Sequence, residues 1–195
     1  MPIKSMTFIN FLRDKLGLRN NKKVMVLYNL GLTPNRATII AIFFKLLMLY
    51  FLFIGNIVFA GITLLAVYLF DGLDGMIARA SGNVTKFGSI LDKGTDFFLI
   101  RSGYFLLAYN GFLSYNLAIT TILIVFFTPL FLQFMDRLNV KRNKSLPSWG
   151  DTILIFFALF TGKVELFFYL MIGLSIILFI INIIVIIYLN LIKKK

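Results

Sequence analysis

FDGLDGMIARASGNVTKFGSILDKGTD, Phe70 to Asp96, gathers four aspartates, Asp71, Asp74, Asp92 and Asp96, in a chain with only 8 Asp and Glu in all. The residues on either side are mostly Phe, Ile and Leu. Residues three or four apart share a helix face, so Asp71 and Asp74 project together from one helix. Gly75 and Ala78 lie beside them and leave an open floor. Asp92 and Asp96, at i and i+4, share a face of the next helix. A hairpin of the two helices would bring both carboxylate pairs together.

The surrounding composition is that of a membrane protein. Of 195 residues, 59% are hydrophobic, and the mean hydropathy is +0.91. A soluble domain is about 45–50% apolar. Six apolar segments are expected, over about 35–54, 57–80, 87–109, 115–137, 149–162 and 165–192. The expected fold is therefore an all-α integral membrane protein with six transmembrane helices. Thr33 or Asn35 caps the first helix and Pro34 fits its first turn. Gly55-Asn56 and Asn110-Gly111 mark turns. The organisation expected is an N-terminal arm, residues 1–30, and a six-helix catalytic domain, residues 31–195. In the arm, Phe8, Leu12 and Leu16 recur at helical spacing with Arg13, Lys15 and Arg19 off that stripe. This is an interfacial amphipathic helix lying in the headgroup region. Charges at Arg13, Lys15, Arg19, Lys22 and Lys23 interrupt any apolar signal-peptide core.

Charge sets the orientation. There are 20 Lys and Arg against the 8 acids. They cluster in the arm, the 79–93 link, the 137–144 loop and the Lys193-Lys194-Lys195 tail. The positive-inside bias puts these, both termini and the aspartate stretch in the cytoplasm of a multi-pass cell membrane protein. That placement explains the basic pI better than nucleic-acid binding does, and no nucleic-acid partner is expected. With no Cys there is no thiolate chemistry. With no His, proton transfer falls to a carboxylate.

Four ionised aspartates near a bilayer are costly, at about 2.5–3.5 kcal/mol each at a helix centre, and they repel one another. Divalent cations remove both penalties. Carboxylates are hard ligands that suit Mg²⁺, Mn²⁺ or Ca²⁺, and four suffice for one or two ions. Paired metals suit displacement at phosphorus. Arg79, a turn past Asp74–Gly75, offers bidentate contact to phosphate. Gly82 and Gly88 flank a short loop where backbone can approach a ligand. Thr85 and Lys86 add a hydroxyl and a cation there. Lys45 lies seven residues after Thr38 on nearly the same face, and two readings stay open for it. It pairs with an aspartate or a substrate phosphate, or it snorkels to the interface. Arg101 points away from Asp92 and serves a lipid headgroup or a dimer contact.

Asp71-x-x-Asp74-Gly75-x-x-Ala78-Arg79, eight residues, then Gly88-x-x-x-Asp92-x-x-x-Asp96 resembles the signature of the CDP-alcohol phosphotransferase family, at every fixed position and spacing. Pro34-Asn35-x-x-Thr38 and the six segments extend the likeness over most of the chain. The resemblance implies transfer of a phosphatidyl or archaeal ether-lipid group from a CDP-linked lipid donor to a small polar alcohol, with release of CMP. Asp71, Asp74, Asp92 and Asp96 would hold Mg²⁺ or Mn²⁺, two ions being expected, with Asp96 also the base. Asn35, Thr38, Gly75, Ala78, Arg79, Thr85 and Gly88 would border the CDP moiety. The stretches GLTPNRAT and SWGDTILIFFALFTG are most similar to the inositol-phosphate and archaeal-type branch. Glycerol phosphate and serine are other acceptors in the family. Arg137, Lys141, Arg142 and Lys144 would meet an anionic acceptor, although the bland reading of that loop is topology and attraction to anionic lipid. The family also implies a homodimer in the lipid bilayer. Two other classes use similar chemistry. A membrane prenyltransferase binds a Mg-diphosphate, but the Gly75, Ala78-Arg79 and Gly88 framework does not suit it. A divalent-cation transporter would keep its carboxylates near the midplane rather than at one edge.

Overall fold

The computed structural model describes residues 21–82, 86–137 and 150–192. Every regular element among them is helical, so the all-α expectation holds. The order is α1 (Asn21–Asn29), α2 (Pro34–Phe53), α3 (Ile57–Ser81), α4 (Lys86–Thr95), a π-helical segment (Asp96–Ile100), α5 (Arg101–Tyr109), α6 (Tyr115–Arg137), α7 (Gly150–Thr161) and α8 (Val164–Ile192). The chain divides into two compact units, Met1–Leu106 and Leu107–Lys195. The expected amphipathic helix around Phe8 lies outside the described residues.

In the first unit α2 is the central element. Thr33 caps it, accepting from Arg36 N through its hydroxyl, and Pro34 fills the first turn. One face of α2 buries Ala37, Thr38, Ala41, Lys45, Met48 and Leu52. The opposite face exposes Ile39, Phe43, Leu46, Tyr50 and Phe53. In water such a face would be a liability; against acyl chains it is the natural surface of a spanning helix. Its inner face packs along α3 and also meets α4 and the π segment, while α1 rests on α3. Ala37 and Ala41 on α2, with Ala60 and Gly61 on α3, are buried small residues. They let helix axes approach where no hydrophobic drive separates protein from lipid. Phe44 stacks on Phe70 at 5.5 Å and Phe51 on Phe59 at 5.3 Å, fixing the register of the α2–α3 hairpin. The turn between them uses Gly55 at φ 75° and Asn56, whose side chain accepts from Phe59 N.

Gly103 brings α5 against α2. A Cβ there would lie 3.0 Å from Leu52 Cδ1 and 3.6 Å from Met48 Cε. Those are flexible tips, so Gly103→Ala needs only a small shift. Gly103→Val overpacks the contact and should cost about 1–3 kcal/mol. The expected result is a melting temperature several degrees below that of Gly103→Ala in the same detergent.

In the second unit α8 packs on both α6 and α7. Phe131 meets Phe179 edge-on at 4.9 Å, and Phe157 stacks on Phe167 at 6.3 Å. Glu165, in the first turn of α8, accepts from Ser114 N at 3.2 Å. Asn182 is buried and satisfies its amide on Leu178 O, one turn back.

Of the six expected spans, three are long and apolar enough to cross a bilayer among the described residues: Pro34–Phe53, Ile57–Ser81 and Val164–Tyr188. Within α6, Tyr115–Thr128 is a further apolar stretch. Two of the other expected spans depart from one long continuous helix. α7 has 12 residues, about 18 Å at 1.5 Å per residue, less than the ~30 Å hydrocarbon core. The third segment opens on polar residues and changes helix type at Asp96.

Candidate active site

α3 carries Asp71 and Asp74, α4 carries Asp92, and Asp96 opens the π segment. One carboxylate oxygen from each of Asp71, Asp74 and Asp92 lies within 4.8 Å of the others. The two acidic helices thus meet as the spacing requires. What the sequence left open is the third wall, which α2 supplies. Thr38, buried at 4% exposure, donates from Oγ1 to Asp74 Oδ2 at 2.7 Å. Lys45 is fully buried, with its Nζ 2.6 Å from Asp96 Oδ1, 3.3 Å from Asp71 Oδ1 and 3.6 Å from Asp92 Oδ1. Of the two readings of Lys45, the structure selects pairing with aspartates.

Those three pairs are unequal. The bond to Asp96 is short and charge-assisted. Toward Asp71 and Asp92 the ammonium is near but not well directed, and their Oδ1 atoms are buried without a hydrogen bond among the described residues. Uncommitted buried carboxylate oxygens are costly, and they have the chemistry of a divalent-cation ligand. The spread fits as well. An ion 2.0–2.1 Å from each oxygen holds its ligands about 3–4 Å apart, so the triad need close only slightly.

Accessibility grades the carboxylates. Side-chain exposure is 20% for Asp71, 29% for Asp92 and 44% for Asp96. Of these three, Asp96 is the most open to a small soluble molecule. The π segment that carries it is held by Arg101, which donates to the carbonyls of Asp96 and Phe97, both at 3.4 Å. The Arg101 guanidinium also sits 4.6 Å from the centre of the Phe97 ring. Arg101 therefore braces the backbone under Asp96, a role its sequence position did not suggest. Thr95 was likewise missed. It donates to Asp92 O at 3.0 Å and accepts from Lys45 at 3.5 Å.

The Arg79 guanidinium lies over Gly75, where a Cβ would be 3.4 Å from Nη1. A Cβ at Gly75 would thus be in ordinary contact with the arginine. Gly82 ends α3 in the left-handed region at φ 71°. Asn35 is exposed one turn before Thr38, and Ala78 and Gly88 are half-buried on α3 and α4. Thr85, Lys141, Arg142 and Lys144 lie outside the described residues, as do the side chains of Lys86 and Arg137.

Comparison with known proteins gives the chain a family. The family model of CDP-alcohol phosphatidyltransferases matches residues 31–191. The archaetidylinositol phosphate synthase of Pyrococcus horikoshii is 38% identical over 97 residues, which is 50% of this chain and 52% of that protein. The matched region thus spans about half the length of this curated relative. With the family match running from the start of α2 into the last turn of α8, the chain belongs to the CDP-alcohol phosphatidyltransferase family.

Proposed function

We propose that this chain transfers a phosphatidyl-type group, diacyl or archaeal ether, from a CDP-linked lipid to inositol phosphate, releasing CMP. One observation carries the reading: three carboxylates from two helices converge within 4.8 Å, backed by Thr38 on one and by an ammonium on the others. The acceptor is supported by the name of the Pyrococcus relative; glycerol phosphate is the runner-up.

In this reading Asp71, Asp74 and Asp92 hold Mg²⁺ or Mn²⁺. When bound, the ion neutralises diphosphate charge and polarises the phosphorus that is attacked. Thr38 fixes the Asp74 carboxylate. Arg79 reaches from the end of α3 to the diphosphate, and Asn35, Gly75, Ala78, Thr85 and Gly88 border the CDP moiety. Asp96 has one oxygen on Lys45 and the other free to accept the acceptor's hydroxyl proton. As that proton moves to Asp96, the acceptor oxygen bonds to the lipid phosphorus and the bond from that phosphorus to CMP breaks. Arg137, Lys141, Arg142 and Lys144 attract the anionic acceptor. The catalytic part is residues 31–195, with 1–30 as its arm. α4 to α5 form one interrupted crossing, and α7 completes a set of six. The basic links favour a site at the cytoplasmic face, and in this reading the protein works as a dimer.

Purified protein with CDP-linked lipid and an acceptor panel tests this. CMP release is expected with inositol phosphate, should fall to background with EDTA, and should return with excess Mg²⁺ or Mn²⁺. Absence of CMP with every acceptor would overturn the reading.

A further inference from the structure

We propose that Lys45 is a resident cation that takes the place of a second divalent ion, so that the aspartate site binds a single metal. The inference rests on the site being a divalent-cation centre.

Lys45 lies eleven residues into α2, about 16 Å along the helix. Its side chain is fully buried, so the stem has no route by which to snorkel to water. An ammonium has three donors and no acceptor. Four oxygens surround it: Asp96 Oδ1 at 2.6 Å, Asp71 Oδ1 at 3.3 Å, Thr95 Oγ1 at 3.5 Å and Asp92 Oδ1 at 3.6 Å. They come from α3, α4 and the π segment, so one side chain on α2 joins all three.

A second metal would have to use Asp96, since Asp71, Asp74 and Asp92 form the compact triad. To reach Asp96 and complete its shell it would have to draw on Asp71 and Asp92 as well. The Lys45 nitrogen already sits among those three carboxylates, at 2.6, 3.3 and 3.6 Å. The two cations would be near contact in a medium that screens them poorly. Withdrawal of Lys45 would strand a buried charge away from its counter-ions. The ammonium therefore stays, and it holds Asp96 through Oδ1. Asp71 and Asp92, whose Oδ1 atoms lack a hydrogen bond among the described residues, and Asp74, braced by Thr38, are left to one ion.

The arrangement also explains how four carboxylates coexist when no metal is bound. Lys45 neutralises part of their charge from within, and it couples α2 to the acidic helices independently of metal supply.

The test is to count Mn²⁺ on the full-length protein in detergent by equilibrium dialysis and to record its electron paramagnetic resonance spectrum. The wild type should bind one Mn²⁺ per chain with the hyperfine pattern of an isolated ion. Lys45→Met should bind two, close enough for spin coupling to broaden that pattern. Its metal-free melting temperature should lie below that of the wild type, and saturating Mn²⁺ should narrow the gap. Asp96→Asn should still bind one. Two ions in the wild type, one in a folded Lys45→Met, or loss of Mn²⁺ in Asp96→Asn would overturn the proposal while leaving a divalent centre in place. No Mn²⁺ on the wild type would remove the centre and the proposal together. Should Lys45→Met fail to fold, the wild-type and Asp96→Asn counts still decide.

Discussion

Asp71→Ala should lower CMP release by about a thousandfold or more while the protein stays folded. Asp71 is the most enclosed of the carboxylates facing Lys45, at 20% side-chain exposure, and it is one of two members of the oxygen triad supplied by α3. Its removal leaves only Asp74 and Asp92 to hold an ion. Transition-state stabilisation by a bound metal amounts to several kcal/mol, and each 1.36 kcal/mol is a factor of ten in rate. Stability should move the other way. Three carboxylates face one ammonium in this site, with Asp74 beside them, so taking one away relieves more repulsion than attraction. The metal-free melting temperature should therefore be unchanged or higher. The paired readout separates a lost ligand from a damaged fold, since a misfolded variant would lose activity and melt lower. Turnover within tenfold of wild type would show that the metal is held elsewhere.

Much of this site is legible in the sequence because helix periodicity is rigid. Asp71 and Asp74 three residues apart, and Asp92 and Asp96 four apart, fix which carboxylates share a face. Turn chemistry fixes the segment ends in the same way. Thr33-Pro34 starts α2, Gly55-Asn56 divides α2 from α3, and the helices fall within a residue or two of the apolar runs. What was hidden depends on contacts between segments or on hydrogen bonding within the backbone. The apolar pattern around Asp96 does not encode a π segment, because one extra residue in the hydrogen-bond ladder leaves the composition unchanged. Its brace, Arg101, looked like a lipid or dimer contact for the same reason. Lys45 could be placed on the face of Thr38, but whether an ammonium snorkels or pairs depends on which helix lies opposite. At α7 and at the third segment the apolar runs were legible but the helix type and uninterrupted length were not.

Asp96→Asn offers the second large effect and a stricter test of the assigned base. Asparagine has the same shape, and its Oδ1 can still accept from Lys45, so the contact at 2.6 Å keeps its geometry while losing its charge. The amide cannot take up a proton. General-base catalysis typically contributes about 10²–10⁴-fold, and turnover should fall by that amount. Asp96 stands outside the oxygen triad and is the most exposed of the paired carboxylates, at 44%. The KM for the CDP-linked donor should therefore stay within about threefold of wild type, as expected when an interaction made only in the transition state is removed. A KM that rises with kcat preserved would make Asp96 a donor-binding group. A fall in turnover smaller than tenfold would move the base to another carboxylate, and with no histidine in the chain Asp92, whose side chain is 29% exposed, would be next in line.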